Sequence, residues 1–281
     1  MHPLIKDLGK ACLDFSQDLY VQAARVFGKI DFPVPPNSNL RKTSSTSIRH
    51  YYESGIKTSL PIVTGALLAG LSLRQDKRVL DFGAGVARQI RYFTTHHPKV
   101  SLYACDVEGS HMEWVARAYP QVQSHKSSYF PPLKYEDCFF DLIYSVSIFS
   151  HVSQNDAFAW LNEFKRILKP GGVACLTILG RTAAEKNSSV VSLKNLIQSL
   201  ETEGSAHEPY GWISAAKERA AKKRFLKNTD MIAEVNESYG VTYYTPPFIR
   251  ENWVGHGLEL VGIAEGVIDD LQDLIVLRNR S

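Results

Sequence analysis

The pattern of apolar and polar residues divides the chain into regions of different character. Residues 4–27 place apolar side chains at the spacing of one helical face, which predicts an amphipathic helix. Residues 32–47 are rich in proline, serine and threonine, which favour turns, and they predict a linker or a lid. From residue 59 onward, short apolar runs typical of strands alternate with segments of helical period. We therefore expect a helical N-terminal segment and lid over 1–58 and one main domain over 59–281.

The main domain begins as a regular alternation of strands and helices. Strands are predicted at 79–82, 101–105, 140–146 and 172–179, and helices at 86–95, 112–118 and 154–168. Strands that alternate with helices form a mostly parallel sheet with helices on both of its faces. The sequence therefore predicts an α/β fold.

The last part of the chain predicts a different arrangement. A polar, helix-prone insert spans about 183–240, and a short helix is expected at 248–254. Two final strands, 258–265 and 274–277, lie only eight or nine residues apart. Two parallel neighbouring strands need a crossover connection of about a dozen or more residues, so these strands should pair as an antiparallel hairpin.

Composition narrows the classes of protein that fit. The chain has 281 residues, 44% apolar and 22% charged, which is typical of a globular protein. The net charge of +3 is too small to indicate a nucleic-acid partner, and residues 215–227, with six basic residues and one acid, are expected to form a solvated helical face. Four dispersed cysteines without a C-x-x-C pair indicate a reducing cytoplasm. No apolar run approaches the roughly 20 residues of a membrane span.

A glycine-rich loop is the sharpest local motif. In Val79-Leu-Asp-Phe-Gly-Ala-Gly-Val-Ala-Arg88, a predicted strand runs into Gly83 and Gly85, which permit a tight turn and a close approach of backbone N–H groups to a ligand. Asp106 ends the next predicted strand, where a carboxylate can bind both hydroxyls of a ribose. The two features together predict a nucleoside ligand.

Two residues of this loop argue against a dinucleotide. A G-x-G-x-x-G fingerprint places a glycine where this chain has Arg88, so that a pyrophosphate can approach the helix. Asp81 stands two residues before the first glycine, and its carboxylate suits a positively charged ligand group better than a phosphate. The expected nucleoside therefore carries a cation.

These residues resemble the class I S-adenosylmethionine-dependent methyltransferases, whose first motif is D/E-x-G-x-G-x-G. Residues 81–87 match this motif except that Ala87 replaces the third glycine, and 133–143, 148–152 and 167–172 resemble later stretches of the family. The resemblance covers about 75–181. It implies a Rossmann-like seven-stranded sheet that ends in an antiparallel hairpin, and S-adenosyl-L-methionine as the cofactor.

The resemblance also implies which residues bind the cofactor. Asp81 would lie near the amino group of the methionine part and Asp106 would hold the ribose. Val107 would pack on the adenine. The other implied contacts are Gly83, Ala84 and Gly85 at the methionine end, Ser128 and Tyr129 beside the base, and Ser147 with the residues up to His151 beside the sulfonium. The family often has an acid where this chain has Ser128 or Tyr129.

His151 is the candidate catalytic residue. Methyl transfer from a sulfonium depends mainly on alignment of the reactants, so a general base is optional. An imidazole, with an ordinary pKa of about 6.5, can accept a proton from a hydroxyl group. A role only in shaping the loop before the next helix is equally open.

The acceptor is expected to lie between the N-terminal segment and the insert. Candidate substrate-binding residues are His50, Tyr51, Tyr52, Tyr210, Trp212 and Tyr243, for which packing roles are the alternative. The first hypothesis is transfer to a hydroxyl oxygen of a small natural product, sugar or lipid-like metabolite, without a metal. An RNA or protein methyltransferase and a non-catalytic cofactor-binding module are the alternatives. The sequence does not indicate which oligomeric state the protein adopts.

Overall fold

A computed structural model describes residues 32–40, 43, 48–74, 76–187, 194–209 and 238–280 of the chain. The helix predicted at 4–27 and the basic segment at 215–227 lie outside these ranges. Among the described helices, each is too short or too polar to cross a bilayer.

Nine strands form one sheet in the part of the chain that the structure describes. They are β1 (Arg78–Phe82), β2 (Ser101–Asp106), β3 (Gln123–Lys126), β4 (Phe140–Ser145), β5 (Leu168–Leu179), β6 (Ser205–Pro209), β7 (Gly240–Tyr244), β8 (Leu258–Ile268) and β9 (Gln272–Asn279). The order β3-β2-β1-β4-β5 is parallel throughout. Strand β9 continues the sheet antiparallel to β5, and β8 pairs antiparallel with β9. The mostly parallel sheet and its closing hairpin confirm the predicted fold class.

The insert adds strands that the sequence did not predict. Strand β7 meets the end of β5, where Leu179 pairs with Tyr243, and β6 pairs antiparallel with β7. Within the described ranges the sheet therefore has nine strands rather than seven, and the insert is not purely helical. These strands are short and carry polar residues, so their residue pattern is close to that of the helix-prone sequence around them.

Helices cover the sheet and cross one predicted boundary. They are α1 (Asn37–Leu40), α2 (Ile48–Leu68), α3 (Arg88–His96), α4 (Gly109–Ala118), α5 (Gln154–Ile167), α6 (Arg181–Asn187), α7 (Lys194–Glu203) and α8 (Pro246–Phe248), which a π-helical turn, Ile249–Trp253, and a 3-10 turn, Val254–His256, continue. Helix α2 runs without a break through residue 58, where we had placed a domain boundary. The start of α5 has the residue pattern of a helix cap, Ser153 followed three residues later by Asp156, and the Ser153 hydroxyl accepts the N–H of Asp156.

Alternate residues of each central strand pack into separate apolar cores. On β1, Val79 joins the core beneath α2 and α3, which includes Ile62 and Phe93. Leu80 joins the opposite core beneath α5, which includes Trp160. Because both faces are covered, the strands are apolar nearly throughout, and a polar side chain within them needs a separate explanation. The parallel strands end at one edge, where their last residues and the following loops converge.

A buried carboxyl group stands at this edge, where β5 ends. Asp273 on β9 is fully buried, and its Oδ1 accepts the N–H of Gly266 at 2.8 Å. Gly180 follows β5, and a Cβ atom placed on it would lie 1.8 Å from Asp273 Oδ2. Only a residue without a side chain fits beside this carboxyl group.

We expect Gly180→Ala to lower the free energy of unfolding by about 1–3 kcal/mol, because the added methyl overlaps the carboxyl group. Gly262→Ala is the matched control, since a Cβ at Gly262 would meet no atom within 4 Å. Chemical denaturation measures both. Equal stability of the two variants would contradict the close contact at Gly180.

Candidate active site

The glycine loop is tied to the end of the neighbouring strand. Gly83 and Gly85 have φ angles of 78° and 51°, a region that favours glycine. The N–H groups of Gly83 and Ala84 both donate to the carbonyl of Cys105, at 2.9 and 3.0 Å. The N–H of Gly85 donates to Asp106 Oδ2 at 2.8 Å. These three N–H groups, which we expected to face a ligand, therefore bind β2 instead.

The glycines also allow other segments to approach the loop. A Cβ on Gly83 would lie 2.4 Å from the side chain of Ile148, and one on Gly85 would lie 3.3 Å from that of Thr43. The amide of Asn39 on α1 donates to the carbonyl of Ser110 at 3.2 Å. The segment predicted as a lid thus lies over the glycine loop and the start of α4.

Asp81 is a buried carboxyl group with an unused oxygen. The residue is 2% exposed, and its Oδ2 has no hydrogen-bond partner in the described ranges. Burial above all, together with nearby Asp106, raises the pKa of Asp81 to about 8 against the opposing effects of the Tyr144 hydroxyl and Arg88. A cationic ligand group at this oxygen would compensate the buried negative charge.

Arg88 is a candidate site residue that our sequence analysis used only to exclude a dinucleotide. It is the first residue of α3, and its guanidinium donates to the Ser54 hydroxyl at 3.4 Å. Burial lowers the pKa of Arg88, while Asp269, Tyr51 and Asp81 raise it. A cation is unfavourable at a helix N-terminus, and this mismatch with the helix dipole was the signal available in the sequence. The arrangement can bind an anionic group beside Asp81.

Asp106 keeps capacity for a ligand. Its side chain is 11% exposed. Oδ2 accepts from Gly85, and Oδ1 accepts the N–H of Glu108 at 2.8 Å. A carboxylate offers about four acceptor positions, so two remain for hydroxyl groups.

The residues predicted to border the base follow β2 and β3. Val107 is half-buried and Ser128 is exposed. The hydroxyl of Tyr129 donates to the carbonyl of Ser238 at 3.1 Å, which ties this loop to the end of the insert. Their contacts with a base remain predictions.

Ser147, two residues after the end of β4, belongs to a closed ring of hydrogen bonds. Its φ angle of 61° is unusual for a residue with a side chain. Its N–H donates to the Thr177 hydroxyl at 2.8 Å, and that hydroxyl donates to Gln272 Oε1 at 2.7 Å. The Gln272 amide donates back to Ser147 Oγ at 2.8 Å. The ring joins the ends of β4, β5 and β9 and holds Ser147 in its strained conformation.

His151 is held in a defined tautomer by the insert. Its Nδ1 lies 2.9 Å from the carbonyl of Gly240, to which it must donate, so in the neutral ring the lone pair is on Nε2. Burial lowers the pKa of His151, and the bond to Gly240 opposes the shift. The imidazole is therefore neutral at pH 7 and can accept a proton.

The predicted substrate-binding residues are dispersed. Tyr51 is fully buried and its hydroxyl donates to the carbonyl of Val86 at 3.1 Å, while Tyr52 is 41% exposed and stacks on Phe32. Tyr243 is fully buried and its hydroxyl accepts from Asn187 at 2.9 Å. His50 is half-buried on α2, and Tyr210 and Trp212 lie outside the described residues. Tyr51 supports the glycine loop; contacts of this group with an acceptor remain predictions.

A metal centre is not found within the described ranges, where no three histidine, cysteine, aspartate or glutamate side chains group closely enough to hold an ion. The groups at this edge of the sheet that could contact a ligand include the carboxyl groups of Asp81 and Asp106, the guanidinium of Arg88 and the imidazole of His151.

The ring at Ser147 predicts a difference between two substitutions. Thr177→Val removes the hydroxyl and leaves the Ser147 N–H without its acceptor, so we expect a loss of about 1–3 kcal/mol in the free energy of unfolding. Thr177→Ser retains the hydroxyl and should lose less than about 1.5 kcal/mol. Urea denaturation measures both variants. A serine variant no more stable than the valine variant would contradict the importance of this hydrogen bond.

Comparison with known proteins adds independent findings. Residues 79–172 match the family model described as a methyltransferase domain. A chain from the complex of the Haloferax volcanii Trm112 methyltransferase activator superposes with a TM-score of 0.54 at 12% identity, covering 89% of this chain and 100% of its own. An S-adenosylmethionine-dependent methyltransferase from Clostridium acetobutylicum superposes at 0.52 and 11% identity, covering 95% and 99%. Human N-acetylserotonin methyltransferase in complex with SAM gives 0.50 and 11%, covering 80% and 52%. At such identities the structural likeness establishes the fold.

Proposed function

We propose that this chain is a class I S-adenosylmethionine-dependent methyltransferase that transfers a methyl group to a hydroxyl oxygen of a small-molecule acceptor. The family and the cofactor rest on the matched domain and on the shared fold. One observation supports the cofactor site above all: the buried Asp81 carboxyl group has an unused oxygen, one strand away from the Asp106 carboxylate. A nucleoside with a cationic amino-acid tail has the two groups that these carboxylates can bind.

The residues at the edge of the sheet fit each part of this cofactor. Asp81 would bind the α-ammonium group, and Arg88 would bind the α-carboxylate. Asp106 would accept bonds from the ribose hydroxyls, and Val107 would contact the adenine. The cofactor supplies a methyl group on a positively charged sulfur. The chain contributes alignment, which can account for about 7–11 kcal/mol of a barrier.

His151 supports an oxygen acceptor. A hydroxyl group becomes a stronger nucleophile when a base accepts its proton in the transition state. The bond from Nδ1 to Gly240 leaves Nε2 as the proton-accepting nitrogen, and the lowered pKa keeps the ring neutral. The ring lies beside Tyr239, with 5.5 Å between the ring centroids, at the join between β4 and the insert. An acceptor bound there would lie beside both the imidazole and the Tyr239 ring.

Asp81 makes cofactor binding depend on pH. With a pKa of about 8, Asp81 is mostly protonated at pH 7 in the free protein, whereas a bound ammonium group favours its ionised form. Binding of S-adenosylhomocysteine should therefore release a proton at pH 7, and affinity should rise from pH 6 to 8. Calorimetry in buffers of different ionisation enthalpy measures the release.

The matched variants are Asp81→Asn and Asp137→Asn. We expect Asp81→Asn to weaken binding by about 10- to 100-fold and to abolish the pH dependence. The Asp137 side chain is 74% exposed, and its variant should behave as wild type. Wild-type affinity that does not change between pH 6 and 8 would contradict the role of Asp81; an absence of any binding would contradict the function itself.

The role of His151 predicts both a rate and a pH profile. His151→Ala should bind S-adenosylhomocysteine normally and lose about 10²-fold or more in kcat on a hydroxyl acceptor. The wild-type rate should fall as pH drops through the lowered pKa, below about 6.5, because the ring is then protonated.

Methyl-labelled cofactor, offered with panels of hydroxylated small molecules, RNA and protein fractions, identifies the acceptor and then measures these rates. If His151→Ala lost less than tenfold in kcat, alignment of the reactants would explain the rate without a general base. If the labelled methyl group appeared only in RNA or protein, the small-molecule acceptor would be contradicted.

A further inference from the structure

His111 is a buried histidine whose ring nitrogens have no hydrogen bonds within the described ranges. It lies in the first turn of α4, directly after the strand end that carries Asp106, and it is 4% exposed. Neither Nδ1 nor Nε2 has a partner there. Buried polar side chains nearly always have at least one partner, so this ring requires an explanation.

Packing alone does not explain a histidine at this position. Its buried neighbours along α4 include Met112, Trp114 and Val115, which belong to the apolar core. An apolar ring of similar size would fill the same volume without the cost of removing two polar nitrogens from water. The position therefore carries a polar group that the fold itself does not use.

The nearest charged group identifies what the ring can bind. His111 Nδ1 lies 3.7 Å from Asp106 Oδ1, which is too long for a hydrogen bond but places the imidazole beside the carboxylate. That oxygen already accepts the N–H of Glu108. Asp106 can only accept hydrogen bonds when ionised, whereas a neutral imidazole has one donor and one acceptor nitrogen.

A hydroxyl group fits this pair because it donates one hydrogen bond and accepts others. It can donate a hydrogen bond to the Asp106 carboxylate and accept one from the N–H of the imidazole, so that a single hydroxyl group pairs with both side chains. We propose that His111 is a ribose-binding residue that acts with Asp106 on a hydroxyl of the nucleoside. This inference rests on the proposed cofactor and adds a contact that the glycine loop and Asp106 do not supply.

The substitution His111→Phe tests this role because it should change stability and binding in opposite directions. The variant without ligand should be at least as stable to heat as wild type, since the orphaned nitrogens are gone. Its Kd for S-adenosylhomocysteine should rise about tenfold, which corresponds to the loss of one hydrogen bond. A residue that only packed would not combine unchanged or greater stability with weaker binding.

A second ligand and a control locate the contact. The increase in Kd caused by His111→Phe should vanish for the deoxy analogue of S-adenosylhomocysteine that lacks the bonded ribose hydroxyl, either the 2′- or the 3′-deoxy compound. Tyr119→Phe removes another buried polar atom, just beyond the other end of the same helix, and should leave both affinities unchanged. His111→Gln, which retains a donor and an acceptor, should keep more affinity than the phenylalanine variant and provides the binding measurement if that variant does not fold.

Clear outcomes would overturn the inference. A Kd of His111→Phe within twofold of wild type would do so, as would an equal loss of affinity for S-adenosylhomocysteine and for both deoxy analogues. A glutamine variant no better than the phenylalanine variant would also contradict it. Wild-type protein that binds no S-adenosylhomocysteine would instead contradict the proposed function, so the two failures are distinguishable.

Discussion

The hydrogen bond from the Gly85 N–H to the Asp106 carboxylate, at 2.8 Å, fixes the relative position of the glycine loop and the end of β2. The neighbouring bonds to the Cys105 carbonyl complete this connection. Because these bonds lie within the protein, the loop has its shape before any ligand arrives. Ligand binding then requires little ordering of the backbone, which preserves affinity. In the proposed function the same carboxylate also accepts hydrogen bonds from the ribose, so one side chain would serve both the loop and the ligand.

The polar groups at this edge interrupt an otherwise apolar sheet. Asp81 and Asp273 are both buried, each has a carboxyl oxygen without a partner in the described part of the chain, and burial raises the pKa of both. Fully apolar side chains would stabilise the fold more at these positions. The destabilising groups gather where the parallel strands end, which is where α/β sheets bind ligands. Their placement therefore follows the demands of a site rather than those of the core.

Local rules predicted much of the fold and part of the site. The glycine loop, the cap at Ser153 and the closing hairpin depend on residues close in sequence, and the structure contains all three. The ring at Ser147 depends on Thr177 and Gln272, which are 30 and 125 positions away, so no local pattern reveals it. The partners of the loop N–H groups could not be predicted either, because they depend on the register of β1 against β2.

The insert and the segment after β4 that carries His151 are joined by hydrogen bonds. Strand β7 and Ser238, which precedes it, are hydrogen-bonded to the segment after β4. The N–H of Ser153 donates to the carbonyl of Ser238, and the N–H groups of Gly240 and Thr242 donate to the carbonyls of His151 and Ser150. The imidazole of His151 is oriented by the Gly240 carbonyl at the start of β7. A change in the insert that adapts it to another acceptor would therefore also shift the imidazole. Because alignment contributes so much to methyl transfer, acceptor choice and rate should change together in this fold rather than independently.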